Sequence, residues 1–277
     1  MSIAGGYYKA VIAANNAGCD CVQVFTKNNN QWRAKPITDD EATRFVEAMK
    51  EHSIADPLSH ASYLINLASP KEELRTKSID AMIVELERAH QLEIPHVVFH
   101  PGSFTTSSEP EGLDAIVDSL NTILQRTDKL ASIPLLENTA GQGSNLGWKF
   151  EHLAYIIDSV SESERLGVCI DTCHTFAAGH PLGSTQEYAS TIQAMDDTFG
   201  IKKIKAFHLN DSKKEFASRK DRHEHIGEGE MGIEPFVNLI NDSRFEDTPM
   251  YLETEKGERD GVNMDVMNLT TLRNLKS

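Results

Sequence analysis

The stretch LGVCIDTCHTFAAG, Leu166 to Gly179, sets a carboxylate and an imidazole at the end of a short apolar run. Gly167 to Ile170 reads as a buried strand that stops at Asp171, with His174 one turn of chain further on. Neither side chain suits a packed core, because burying either without a partner costs several kcal/mol. Both are good metal ligands, since zinc takes carboxylate oxygen and neutral imidazole nitrogen. By itself D-x-x-H says little, so the weight falls on whether the pattern recurs.

It does. Strand-like runs end at Phe25, His60, His100, Glu137, Asp171, His208 and Glu253, so that six of the seven stop on His, Asp or Glu. Three further candidates lie close behind: His174 after Asp171, and Asp221 and His223 in SRKDRHEHIGEG. Together His60, His100, Glu137, Asp171, His174, His208, Asp221, His223 and Glu253 make nine ligands, five imidazoles and four carboxylates. That mixture suits zinc, with manganese or iron at some sites. Nine ligands exceed what one ion can use and hold three if a carboxylate bridges two of them. Metal ions a few ångströms apart serve phosphoryl transfer by binding phosphate oxygens, supplying hydroxide at neutral pH and stabilising the leaving oxygen. Cys173 sits between two of the candidates and reads as a packed thiol.

The elements that position these residues follow from the chain in order. A helix over GGYYKAVIAANNAG, ended by Gly18, precedes a strand Cys21–Phe25; helices near 39–52, 70–91, 113–130, 150–160, 186–198 and 234–241 then alternate with strands. Strict strand–helix alternation implies a parallel sheet, and the runs VVF, PLL, VCI and MYL are continuously apolar, as strands covered on both faces should be. The strand ends fall 34 to 45 residues apart, one strand–helix unit each. In a (β/α)8 barrel those ends converge on one face, which carries the chemistry. The expected fold is therefore an α/β (β/α)8 TIM barrel over 1–277 as a single domain, lacking its first β-strand at the N-terminus, where only one residue precedes SIAGG.

Composition bounds the partners. The chain of 277 residues carries 27 Lys and Arg against 42 Asp and Glu, a net charge of −15. This opposes broad affinity for nucleic-acid phosphates, although divalent cations in one cleft would reverse its local potential. No apolar run reaches the roughly 18 residues of a membrane span, and MSIAGGYYKA lacks a signal peptide's charged and apolar regions. Four cysteines, Cys19, Cys21, Cys169 and Cys173, form no disulfide or zinc-finger framework. The expectation is a cytoplasmic monomer with no membrane partner.

The motifs SHASYLINLASP, FHPGS, ENTAGQGSNLG, GVCIDTCHTFAAG, HLNDSK, DRHEHIGEGEMG and YLETEK resemble the signatures of the endonuclease IV family of apurinic/apyrimidinic endonucleases. The resemblance runs from Ser2 to the C-terminus. It implies a DNA-repair enzyme on a (β/α)8 barrel with three Zn2+ ions (Mn2+ or Fe2+ at some sites). Such an enzyme cleaves duplex DNA 5′ to an abasic site, leaving 3′-hydroxyl and 5′-deoxyribose phosphate, and cleans blocked 3′ ends at the nucleoid. By resemblance His60 and His100 hold a first ion with Glu137 bridging to a second; Asp171, His208 and Glu253 complete the second; His174, Asp221 and His223 hold the third. Glu137 is the catalytic carboxylate beside the attacking oxygen.

The same resemblance makes Tyr63 and Leu64 the wedge that fills the gap at a lost base, and Asn30, Gln31, Trp32 and Arg33 a DNA-contacting loop. Asn30 stands where the family can carry a stack-inserting Arg. Arg222, with Lys213, Lys214, Arg219 and Lys220, forms the most basic stretch and is expected at phosphates. The competing reading is a metal-dependent sugar isomerase or epimerase on a similar barrel. Such enzymes need one or two metals and mostly carboxylates, so the His174, Asp221 and His223 group separates the two. A metal-storage or DNA-binding module leaves the ligand pattern unexplained.

Overall fold

Residues 1–6 form a turn that feeds the first helix, α1 (Tyr7–Ala17), which ends where Gly18 takes the left-handed conformation at φ 76°. The computed structural model describes residues 1–277, and its contacts divide the chain into two compact units, 1–137 with 155–167 and 138–154 with 168–277. After α1 the first unit runs β1 (Cys21–Val24), α2 (Asp39–Glu51), β2 (Ala55–His60), α3 (Glu72–Gln91), β3 (His96–Phe99), α4 (Glu109–Arg126) and β4 (Ile133–Glu137). Its four strands are adjacent in that order and parallel, with Val24 opposite Ser59, His60 opposite Val98 and Phe99 opposite Leu136. Leu58, Val97, Val98, Phe99, Leu135 and Leu136 are buried, as expected of strands covered on both faces.

Side chains set the starts of α2 and α4. Thr38 and Ser108 each accept the backbone N–H of a glutamate three residues on, Glu41 and Glu111, whose carboxylates reach back to the cap. The Ser108 box, with Pro110 in the first turn, starts α4 at Glu109 and not near Leu113 as periodicity suggests. The same helix stops at Arg126, four residues early, where the Thr127 hydroxyl donates back to the Ile123 carbonyl at 2.8 Å. Ile116, Leu120, Ile123 and Leu124 give it a buried stripe at helical spacing.

The chain continues through α5 (Phe150–Ser159) to β5 (Gly167–Asp171), α6 (Thr172–Ala178), α7 (Thr185–Phe199), β6 (Ile204–His208), β7 (Asp211–Ser212), β8 (His223–Glu224), α8 (Glu234–Ile240), β9 (Met250–Tyr251), β10 (Glu258–Arg259), β11 (Val262–Asn263) and α9 (Met264–Asn274). In the second unit β5, β6 and β9 are parallel, with Asp171 opposite His208 and His208 opposite Tyr251. Three elements depart from the sequence reading. The turn after Asp171 is a helix, α6, and β7 with β8 forms a two-residue antiparallel ribbon. β10 and β11 form a hairpin closed by Asp260 and Gly261, both at positive φ (54° and 77°), the turn an Asp-Gly pair favours.

Candidate metal centre

In the first unit, His60 ends β2, His100 follows β3 directly and Glu137 ends β4. Their ligand atoms all lie within 4.8 Å of one another. Glu137 is fully buried, and its Oε2 stands 3.1 Å from both His60 Nε2 and His100 Nε2. His60 Nδ1 lies 2.7 Å from the Ala61 carbonyl; placing the proton there leaves Nε2 with a lone pair aimed at the shared oxygen. Tyr63 walls this group, its ring centroid 5.2 Å from His60, 5.9 Å from His100 and 5.6 Å from Phe25.

In the second unit, Asp171 belongs to two groups. With His208 and Glu253 it forms one, in which His208 Nδ1 is 3.3 Å from Glu253 Oε2. With His174 and His223 it forms another, to which Asp221 adds both oxygens: Oδ2 lies 3.2 Å from His174 Nε2 and Oδ1 lies 3.2 Å from His223 Nε2. The Nδ1 atoms of these two histidines face backbone carbonyls, Asn138 O at 2.9 Å and Glu253 O at 3.4 Å. The D-x-x-H spacing has a local cause, since Asp171 is the N-cap of α6 and its Oδ1 accepts the His174 N–H at 2.8 Å. One carboxylate thus starts the helix that carries the next imidazole. Burial opposes a charge on His223, but the Asp171 charge and the bond to Asp221 overcome it and lift the imidazole to about 9. Burial likewise opposes the Asp221 charge, and its bonds to His174 and His223 hold the carboxyl well below the usual range.

The donor sets fit divalent cations. Ligand–ligand separations of 3.1 to 3.6 Å match the edge of a tetrahedron about an ion bonded at about 2.0–2.1 Å, which is roughly 3.3 Å. Buried imidazoles facing buried carboxylates need either a proton or a metal between them.

Sequence reading missed the side chains that orient these groups. Asn210 Nδ2 donates to Asp171 Oδ2 at 2.6 Å, while its Oδ1 accepts the Glu253 N–H at 2.9 Å. Asn138 Oδ1 accepts the Asp171 N–H at 2.7 Å, and Asn138 Nδ2 donates to Thr175. Asp211 is fully buried and accepts N–H groups from Ser212, Gly229 and Met231 at 2.7, 2.9 and 3.0 Å, tying the chain beyond β8 to β7. Burial pushes its carboxyl up against those bonds. Each follows a ligand closely (ENT, HLND), and a polar side chain directly past a buried strand end was the available signal. Cys173 is a buried thiol pushed upward by burial and then by the Asp171 charge, with Sγ 3.7 Å from the Arg222 carbonyl.

The other expected residues lie at the surface. Asn30, Gln31 and Arg33 are exposed, Trp32 is half-buried beneath the Lys77 ammonium at 4.3 Å, and these residues with Lys77 line an open depression. Tyr63 is 53% exposed and Leu64 half-buried. In the second unit Arg222, Lys213, Lys220 and Arg219 are exposed and Lys214 is half-buried; the Arg219 guanidinium stands over the Trp148 ring, 3.6 Å from its centre.

A family model described as a xylose isomerase-like TIM barrel matches residues 11–270, running through both units. The chain is 47% identical over 275 residues to a probable endonuclease 4 of Chloroflexus aurantiacus, covering 99% of this chain and 96% of that protein. The crystal structure of endonuclease IV from Thermus thermophilus superposes with a TM-score of 0.87 at 31% identity, over 99% of this chain and 96% of that one. A D-tagatose 3-epimerase-like protein, 20% identical with a TM-score of 0.72 over 93% of this chain and 88% of its own, shares the fold alone. Fold and identity over nearly the whole length agree, and the chain belongs to the endonuclease IV family of apurinic/apyrimidinic endonucleases, built on a TIM barrel.

Proposed function

We propose that the chain hydrolyses the phosphodiester 5′ to an abasic site in duplex DNA, leaving a 3′-hydroxyl and a 5′-deoxyribose phosphate, and that it clears blocked 3′ ends. The observation that carries this reading is the His174, Asp221 and His223 group, two imidazoles on one carboxylate with Asp171 alongside. It supplies ligands beyond what a one- or two-metal sugar epimerase uses, in a chain 47% identical to a protein named endonuclease 4.

The nine ligands suit three Zn2+ ions, with Mn2+ or Fe2+ at some sites: His60, His100 and Glu137 for one, Asp171, His208 and Glu253 for another, His174, Asp221 and His223 for the third. When bound, the ions supply charge neutralisation and hydroxide at neutral pH. The protein's own residues do the rest. Glu137, held between two imidazoles, orients the attacking oxygen for in-line displacement. Tyr63 and Leu64 fill the gap left by the missing base, which costs less to open than a paired one. Asn30, Gln31, Trp32 and Arg33 bear on the duplex beside them, and Arg222 meets phosphate. The working unit is a monomer in the bacterial cytoplasm, at the nucleoid; no helix is long and apolar enough to cross a membrane.

The test is a duplex carrying one abasic analogue. Nicking on its 5′ side, abolished by chelator, with close to three ions per chain by metal analysis, is the expected result. Isomerisation of a free sugar without nicking, or a single ion per chain, would transfer the chain to the epimerase reading.

A further inference from the structure

The inner face of α3 carries two charged residues, Glu85 and Arg88, only 1% and 7% exposed. Their polar atoms are directed to the loops that follow β1 and β2. Glu85 Oε1 accepts the Lys27 ammonium at 3.0 Å and the Ser62 backbone N–H at 3.1 Å, and Glu85 Oε2 accepts the Thr26 hydroxyl at 2.9 Å. Lys27, also buried, passes on to the Gln31 carbonyl at 2.9 Å. Ser62 closes the circuit by donating its hydroxyl to the Asn29 carbonyl at 2.6 Å. Arg88 donates to the Lys35 carbonyl and the Tyr7 hydroxyl, both at 2.7 Å, and to Thr26 Oγ1 at 3.2 Å. One helix therefore holds residues 26–35 and Ser62 at once, and holds them to each other.

Stability alone does not call for this arrangement. A buried ion pair recovers at best what its desolvation costs, and apolar residues of similar volume commonly serve as well. What the pair provides is fixed loop geometry, since every acceptor or donor it meets belongs to the loop segments and none to the strands beneath α3. The side chains carried outward on those loops include Asn30, Gln31 and Tyr63, all exposed. A wedge pressed into a base stack must not yield, and ordering a loose loop at that moment would subtract from binding.

We infer that Glu85, through its buried pair with Lys27, is a positioning residue that locks the Thr26–Lys35 and Ser62–Leu64 loops into one rigid surface for engaging damaged duplex. The inference rests on the abasic-DNA reading above. It assigns recognition geometry to residues that touch neither metal ligand nor solvent.

The experiment uses the metal-loaded full chain with Lys27→Met and Glu85→Leu combined, which removes both charges together. Amide hydrogen exchange in residues 28–35 and 62–66 should accelerate in both loops, by roughly tenfold or more. For an abasic-analogue duplex KM should rise about tenfold while kcat stays within about threefold. Metal content should be unchanged, which a merely structural role for the pair would not ensure. Glu85→Gln, which keeps shape and an acceptor, gives the same pattern at smaller amplitude and stands in if the double variant does not fold. Exchange that stays at the wild-type rate, loosening of one loop only, or an unchanged KM overturns the proposal. Wild-type protein that leaves abasic duplex intact while the paired loosening is seen would overturn the functional reading and leave the lock standing, so the two failures are distinct.

Discussion

Asn210 Nδ2 lies 2.6 Å from Asp171 Oδ2, and both side chains are fully buried. Because the same amide accepts the Glu253 N–H, one residue fixes a carboxylate that faces two ligand groups and the backbone of a second ligand. Outer partners of this kind typically tune metal affinity by roughly 10–100-fold. Asn210→Ala should weaken metal retention by that order in chelator competition. The protein should still fold, and the duplex-nicking rate should recover at high metal concentration.

Glu137→Gln separates chemistry from fold. The substitution keeps shape and burial but removes the charge that both His60 and His100 face at 3.1 Å. Nicking should fall by roughly a thousandfold or more, the scale on which a preorganised charge in a dry site acts. Circular dichroism should show the wild-type helix content. Metal analysis should show at least one ion fewer, and full metal content with full activity would remove Glu137 from the centre.

Three helices give the chain a predictable acid response. Bonds from Thr38, Ser108 and Ser184 hold the carboxyls of Glu41, Glu111 and Glu187 below the ordinary glutamate value. A carboxyl depressed in the folded state contributes stability above the unfolded pKa of about 4.3. That contribution is lost as pH falls through the folded values. Replacing Thr38, Ser108 and Ser184 by Ala should lower the urea midpoint at pH 7. The gap to wild type should narrow below pH of about 4, and a gap independent of pH would show that the glutamates do not answer the caps.

How much of this was legible before the fold was known depends on whether a residue's role is local. His60, Glu137, Asp171 and His208 stood out because an acid or imidazole ending an apolar run is costly to bury unless it holds a ligand or a partner. His100 and Glu253 were found in the same way although they lie one and two residues past their strands. Helix α4 is displaced by four residues at both ends because periodicity sees the buried stripe and not the Ser108 box or the Thr127 back-bond that delimit it. The roles of Asn210, Asp211 and Glu85 were not legible, although HLND does set two polar residues directly past a buried strand end. Apart from the Ser212 N–H that Asp211 accepts, the partners named above lie between 18 and 59 residues away along the chain, so nothing local discloses the bonds they make. The β7–β8 ribbon, two residues per strand, is too short to carry a period.

That ribbon also bears on the third ligand group, since β8 begins at His223 and Asp211 at the start of β7 accepts the N–H groups of Gly229 and Met231. Gly229 has no room for a side chain: a Cβ there would stand 2.4 Å from the Ser212 carbonyl oxygen and 2.6 Å from Asp211 Oδ1. One of those neighbours is backbone and the other is a buried, fully bonded carboxylate, so neither can give way cheaply. Gly229→Ala should therefore push the returning segment off β7 and shift His223 and Asp221 with it, while the His60, His100 and Glu137 group in the first unit keeps its geometry. Metal analysis should then show loss of one ion, with nicking falling far more than the thermal midpoint. Retention of every ion with normal activity would mean that the ribbon does not position the third group.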